Sequence, residues 1–145
     1  MPKTTAFSAD LLKLIFNGTA IANIADNAAT APAANLVLSL HTADPGVGAS
    51  QTTSEVAYTG YARVSVPRTA AALPVTGTTV NPAAAQSFPQ CTAGAAGSTV
   101  ATHFAIGTAA TGAGRVLYVG TLSPTISIGQ GVTPQLAPQT AITES

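Results

Sequence analysis

The hydrophobic residues near the beginning of the chain repeat at helical spacing. The apolar stripe consists of Leu11, Leu12, Ile15 and Phe16, which is the spacing of an amphipathic helix. Ser8 can cap its beginning, Asp10 lies near the positive end of the helix dipole, and Gly18 can close it. The pattern therefore predicts a helix over residues 8–17 that packs on a larger structure.

After Asn35 the pattern changes to short β-rich runs that are separated by Gly, Pro, Asn or Asp. The predicted strands are Leu36–Thr42, Tyr61–Pro67, Ala72–Thr76, Ala85–Pro89, Thr99–Ile106, Arg115–Leu122, Thr125–Ile128 and Leu136–Thr143. Short strands without helices between them favour an antiparallel β-sandwich or a jelly-roll-like barrel. We predict a mainly β fold in a single domain, 1–145, with the helix at 8–17 and the β-sandwich at 35–145.

The segments between these runs differ in character. "TAATGAG" is typical of a hairpin connection, and Thr19–Ala34 is predicted to form a short turn followed by irregular chain. "GVGASQTTSE" and "QCTAGAAGST" are of low complexity and read either as linkers or as loops of one domain. Loops are favoured, because neither stretch separates two segments large enough to fold independently. Their small residues suit lying flat across a neighbouring surface.

The run "RVLYVGTL" is apolar on both of its predicted faces. Val116, Tyr118, Gly120 and Leu122 lie on one face, and Leu117, Val119 and Thr121 lie on the other. A strand that covers only one core alternates apolar with polar positions. One face of this strand is therefore predicted to meet a partner.

Charge is the most unusual property of the composition. Charged residues make up 7% of the 145 positions, where about 25% is usual, and the net charge is 0. Hydrophobic residues make up 46% and the mean hydropathy is +0.37, so the chain is expected to fold. With so few charges, electrostatic repulsion does little to keep copies of the protein apart. Such an exterior suits a surface that is covered in an assembly.

The distribution of basic and apolar residues bears on possible partners. The basic residues are Lys3, Lys13, Arg63, Arg68 and Arg115. They are scattered and form no stripe that could neutralise a run of phosphates, so no nucleic-acid partner is expected. No stretch approaches the roughly 20 apolar residues of a membrane span, so no membrane partner is expected either. Cys91 is the only cysteine, which excludes an internal disulfide.

The residues that could bind a metal are few and have no recognisable spacing. The candidates are His41, Asp44, Glu55, Cys91 and His103. None stands in a CxxC, HxxxH or HExxH motif, although His41 and His103 could meet across neighbouring strands. Cys91 has no basic neighbour in sequence that would lower the pKa of its thiol. We predict no metal site and no cofactor.

The best candidate for catalysis is His41 with Asp44, in the stretch "LSLHTADPG". A nucleophile would have to accompany such a pair, and the chain has no GxSxG elbow or SxxK motif. The alternative is that His41 ends a strand and that "TADPG" is a turn shaped by Asp44 and Pro45. Tyr58, Tyr61 and Arg63 offer a fragment of a base-stacking platform, but core packing explains them better. We predict that the protein has no catalytic residues and is not an enzyme.

Three stretches, taken in order, carry a resemblance to a known family. They are "NLVLSLHTADPG", "GYARVSVPR" and "VATHFAIGTAATGAGRVLYVGTLS". Their order and spacing resemble those of small tailed-bacteriophage virion proteins, which include tail-fibre-like proteins and capsid cement or decoration proteins. Cement proteins of this kind commonly have jelly-roll-like sandwiches. The resemblance implies no catalytic residue, and this chain departs from the family pattern in having no Trp.

The resemblance implies a structural role in the virion. Our leading hypothesis is a cement or decoration protein on the capsid exterior, made in the cytoplasm of the host bacterium, which binds the major capsid protein and stabilises the phage head. We also expect a homo-oligomer, with a dimer favoured. Contacts are expected from the N-terminal segment, "GVGASQTTSE" and "PQTAITES". The alternative is a tail or tail-fibre-associated adaptor that recognises the host.

Overall fold

The computed structural model describes residues 4–21, 25, 32–46 and 48–144. The described elements are helix α1 (Thr5–Asn17) and strands β1 (Asn35–His41), β2 (Val64–Pro67), β3 (Val75–Thr76), β4 (Thr79–Val80), β5 (Gln86–Ser87), β6 (Thr99–Gly107), β7 (Val116–Ile128), β8 (Gln135–Leu136) and β9 (Ile142–Thr143). The strand pairs for which a register is defined are all antiparallel. The prediction of a mainly β, antiparallel fold with one short N-terminal helix is confirmed. The sheets of the described strands are open, so the predicted sandwich form agrees with them better than the barrel form.

The chain divides into two compact units. The first comprises Met1–Asn35, Pro67–Ala85 and Ala137–Ser145, and the second comprises Leu36–Val66 and Gln86–Leu136. Each unit is therefore assembled from segments that are distant in sequence. The organisation as a single domain over 1–145 stays a prediction.

In the first unit, helix α1 begins one turn earlier than the predicted residue 8. The Thr4 hydroxyl accepts a hydrogen bond from the Phe7 amide at 3.3 Å, so Thr4 is the N-cap. Ser8 is 2% exposed and lies inside the helix, which places Asp10 beyond the first turn. The predicted cap at Ser8 is wrong because Ser8 shares the buried face with Leu12, four residues on. Gly18 closes the helix with a φ of 66°, as predicted.

Packing on one side of α1 follows the predicted stripe in part. Leu12 and Phe16 are fully buried, whereas Leu11 and Ile15 are half-buried. The helix contacts β3 and β4, which form a sheet in the order β3-β4-β9. No helix in the described part of the chain is long and apolar enough to span a membrane.

Arg68 closes the C-terminal end of α1. Its Nε donates a hydrogen bond to the Ile15 carbonyl at 2.5 Å, and its Nη2 donates to the Leu14 carbonyl. These carbonyls lie in the last turn, where helix carbonyls lack partners within the helix and the dipole is negative. This arginine, isolated in the sequence, therefore stabilises a helix end more than 50 residues earlier.

The second unit is built around a four-stranded sheet in the order β2-β1-β6-β7. β1 is buried along almost its whole length, as expected for a strand that is covered on both faces. It pairs with β6 so that Leu40 faces Phe104 and His41 faces His103. Strands β5 and β8 form a separate two-stranded sheet in this unit.

Proline accounts for two differences between the predicted and observed strands. The predicted strands Arg115–Leu122 and Thr125–Ile128 form one strand, β7, across Pro124. An outer strand tolerates proline because one of its edges needs no ladder hydrogen bond. The predicted strand Leu136–Thr143 is instead divided between β8 and β9, with a turn in which the Thr140 amide donates to the Ala137 carbonyl. Pro138 lies in that turn and cannot donate to a sheet.

Several predicted strands are shorter than expected. Tyr61–Pro67 is a strand only from Val64, and Ala85–Pro89 only over Gln86–Ser87. In the segment predicted as a short turn followed by irregular chain, Ile21 and Ala25 exchange two backbone hydrogen bonds of 2.8 and 2.9 Å. Most other residues of Thr19–Ala34 lie outside the described part of the chain.

Candidate interaction surface

His41 lies at the end of β1 and is fully buried. Its Nδ1 is 2.8 Å from the Thr53 carbonyl oxygen and its Nε2 is 2.9 Å from the Ser39 hydroxyl. Asp44 instead accepts a hydrogen bond from the Gly46 amide at 2.8 Å, which is the turn bond typical of aspartate. The structure therefore gives His41 and Asp44 separate partners, as the strand-and-turn interpretation predicts.

The other candidate ligands do not converge in the described part of the chain. His41 and His103 are register partners on β1 and β6, and the His103 Nδ1 is 2.8 Å from the Thr102 hydroxyl. Cys91 is buried, with its thiol 3.1 Å from the Ala93 carbonyl oxygen. Among residues 4–21, 25, 32–46 and 48–144, no group of three or more His, Cys, Asp or Glu side chains could hold a metal ion.

Glu55 and Arg63 form a two-point ion pair. Arg63 Nε is 2.6 Å from Glu55 Oε1 and Arg63 Nη2 is 2.7 Å from Glu55 Oε2. The remaining Nη1 donates to the Ala109 carbonyl at 2.8 Å. The hydrogen bonds that Arg63 donates to Glu55 raise the pKa of Arg63, and burial opposes this rise. The pair thus connects the segment after β1 to the connection between β6 and β7.

The tyrosines of this region belong to the packing around that pair. The Tyr61 hydroxyl donates to Glu55 Oε1 at 2.8 Å and accepts from the Leu40 amide at 3.1 Å. Its ring packs edge to face on Tyr58 and stacks with Phe88. Burial raises the pKa of Tyr58 to about 12 and raises the pKa of Tyr61 as well. The core-packing interpretation of these aromatic residues is confirmed.

Gln51 holds the hairpin between β6 and β7, a role that sequence reasoning missed. The side chain is fully buried, and its Oε1 accepts from the Thr108 and Ala109 amides at 3.1 and 3.0 Å. A Cβ at Gly107 or Gly114 would lie 2.2 or 2.1 Å from Gln51 atoms, so both glycines leave room for it. A single glutamine in a low-complexity run has no periodic pattern that would mark it as buried. Only Gly107 and Gly114, at the two ends of the hairpin, indicate that something packs closely there.

β7 is the most exposed long strand of the second unit. It is the outer strand of its sheet, and most of its residues are half-buried or exposed. Its thirteen residues include no charged side chain, and Val119 is 38% exposed. Gly120 leaves room for Phe104, since a Cβ there would lie 2.2 Å from the ring. Outer strands usually carry charge, short length or proline that limits pairing with another chain. In β7 the proline is Pro124, and the stretch before it, Val116–Ser123, has neither proline nor charge.

A groove runs beside the first half of β7. It is lined by Asp44, Gly46, Gly48, Val116, Leu117 and Val119. One wall is therefore strand, and the other is the turn that follows β1. We call β7 and this groove together the β7 surface. It combines aliphatic side chains with the backbone groups on the outer edge of β7. Its chemistry fits contact with another protein strand, because backbone pairing and aliphatic packing are both available there.

Comparison with protein families gives a match over nearly the whole chain. The model of a family described as podophage GP4 fiber I protein gp80 matches residues 3–143. A comparison with curated proteins gives no match. The chain belongs to this podophage family and is a bacteriophage virion structural protein.

Proposed function

We propose that this member of the podophage fiber I family is a component of a virion fibre, in which several copies of the chain associate. The observation that carries the proposal is the family match, which spans residues 3–143 and names a fibre protein. In this role the chain acts through contacts between subunits and performs no catalysis. The bonded states of His41 and Asp44, each with a structural partner, are in keeping with such a role.

The β7 surface is the part of the molecule best suited to join two copies. An antiparallel pairing of two identical strands has a two-fold axis, so one sequence serves both sides of the interface. Because no residue from Val116 to Ile128 is charged, this pairing would place no like charges opposite each other. Exposed Val119 would be covered in the contact, which gains apolar burial on both copies. The arrangement gives a dimer, the oligomer favoured in the sequence-based hypothesis.

Replacing Val119 with lysine should prevent this association. A lysine on an outer strand opposes strand pairing because its charge would have to leave water. We expect the affinity between copies to fall at least about tenfold, which corresponds to about 1.4 kcal/mol. Analytical ultracentrifugation of the purified chain and incorporation into particles, after complementation of a phage that lacks the gene, would both report the effect.

Val100→Lys provides a matched control on the same sheet. Val100 lies on β6 and is 38% exposed, the same fraction as Val119, but it faces Ser127 of β7, so β7 stands between it and the outer edge of the sheet. The control should associate and incorporate like the unaltered chain. If both variants behave alike, β7 is not the contact. If Val119→Lys remains self-associated but is excluded from particles, β7 contacts a different virion protein.

A capsid cement role is the second candidate, with the major capsid protein as partner on the capsid exterior. The observation in its favour is the run Thr92–Ser98, in which every residue is small and exposed. Such a run could lie across neighbouring capsid subunits and stabilise the assembled shell by binding it in preference to free subunits. Quantitative gels of purified virions separate the two roles. A cement protein would approach the copy number of the major capsid protein, and a fibre protein would fall far below it.

A further inference from the structure

The hydrogen bonds of His41 define its protonation state. Since a carbonyl oxygen can only accept, Nδ1 carries the hydrogen that bonds the Thr53 carbonyl at 2.8 Å. Nε2 is then the acceptor for the Ser39 hydroxyl at 2.9 Å. A neutral imidazole supplies one donor and one acceptor, which matches these two partners. An imidazolium would present donors at both nitrogens and would place a charge where the side chain has no exposure to water.

The charged and titratable groups around His41 are on two elements. Glu55 and Arg63 lie on the chain that follows β1, and His103 lies opposite on β6. Burial lowers the pKa of His41; the Thr53 carbonyl and Glu55 oppose this, and Arg63 and His103 add to it. Glu55 is already bonded to Arg63 and to Tyr61. The site is thus arranged around a neutral ring.

The segment Thr52–Ser54 is joined to the end of β1 by few bonds, since its other bonds are local: the Thr53 amide donates to the Ser50 carbonyl at 3.0 Å, and the Thr52 hydroxyl lies 2.8 Å from the Ser50 hydroxyl. The Thr42 amide and hydroxyl both donate to the Ser54 carbonyl, at 2.8 and 3.1 Å, and His41 holds the adjacent Thr53 carbonyl. Thr52, Thr53 and Ser54 are exposed on their outer side. Movement of this short segment would break the Thr42–Ser54 bonds of the His41–Glu55 bridge and bring the imidazole to water. The pairing with β6 is on the other edge of β1. Segments with few buried contacts open at lower free energy than the core.

We propose that His41 is an acid-sensitive clamp that closes the segment Thr52–Ser54 over the end of β1 when the ring is neutral and releases it when the ring is protonated. The clamp does not depend on the proposed fibre role. The ring of the open state titrates near its ordinary pKa of 6.5, above the lowered value of the closed state. The closed state is therefore fully favoured above pH 6.5 and loses stability as the pH falls below it.

Amide hydrogen exchange of the full chain, followed by NMR, tests the clamp. The probe is the Thr42 amide, which is bonded to Ser54, and the reference is the Phe88 amide, which is bonded to Pro134 at 2.9 Å. After correction for intrinsic exchange, protection of Thr42 relative to Phe88 should fall between pH 7.5 and pH 5. The largest fall in this ratio is about 30-fold, which is reached if the ring of the open state titrates with a pKa of 6.5 and the ring of the closed state stays neutral. A constant ratio would overturn the proposal.

The two histidines provide matched variants. His41→Asn keeps a side-chain donor without a titrating group, so the pH dependence of the ratio should disappear. His103→Asn should retain it. If His41→Asn does not fold, direct NMR titration of the unaltered His41 ring decides the matter. Protonation of that ring near pH 6.5 with Thr42 still protected would contradict the clamp, and ring protonation coincident with loss of Thr42 protection would support it.

Discussion

Replacing Arg63 with alanine should lower the free energy of unfolding by about 3–5 kcal/mol, because the change leaves a buried carboxylate without its counter-ion. The side chains of Arg63 and Glu55 are 4% and 15% exposed, so water cannot readily replace the guanidinium. The variant also loses the bond from Arg63 to the Ala109 carbonyl. Urea unfolding of the purified chain, followed by circular dichroism, measures the loss.

Two further variants isolate the cause. Arg115→Ala removes an exposed arginine and should change the stability by no more than about 0.5 kcal/mol. Adding Glu55→Gln to Arg63→Ala removes the orphaned charge and should recover part of the loss, since a neutral buried group costs less. A loss for Arg63→Ala no larger than that for Arg115→Ala would show that the ion pair has no structural role.

Replacing Gln51 with alanine should destabilise the chain by about 2–4 kcal/mol, from a lost hydrogen-bond acceptor and the cavity that remains. The Thr108 amide keeps a second acceptor, the Arg115 carbonyl at 3.1 Å. The Ala109 amide has Gln51 Oε1 at 3.0 Å as its acceptor. We therefore expect the Ala109 amide to lose most of its protection from hydrogen exchange, and the Thr108 amide to lose less.

Gln130→Ala is the control for this variant, because Gln130 is an exposed residue of the same unit. It should leave both the stability and the exchange of Ala109 unchanged. Unaltered protection of the Ala109 amide in Gln51→Ala would mean that the hairpin is held without Gln51.

The pattern of neighbouring residues in the sequence was enough to predict elements that depend on local interactions. β1 was found as a short apolar run that ends in a turn sequence, and β6 because its β-branched and aromatic residues suit a buried sheet. The hairpin between β6 and β7 was found because its glycines suit a tight connection. The helix was found at its correct C-terminal end, but its N-cap is Thr4 and not Ser8. Two good capping residues stood one turn apart, and burial of Ser8 decided between them, which the sequence does not display.

The residues that organise the candidate surface were largely beyond local reasoning. Gln51 reaches amides that are 57 and 58 residues away, and Arg63 reaches a carbonyl 46 residues away. Such contacts depend on which strands become neighbours, and no short-range signal reports them. The apolar faces of β7 were visible in the sequence, because alternation of residue type survives without knowledge of the fold. Its position as the outer strand required the structure.

Electron microscopy of virions that carry a label at the C-terminus of this chain tests the central claim most directly. The fibre role predicts the label on fibres of the tail, in a copy number far below that of the major capsid protein. A label distributed over the surface of the head would contradict the fibre role and would favour the cement role.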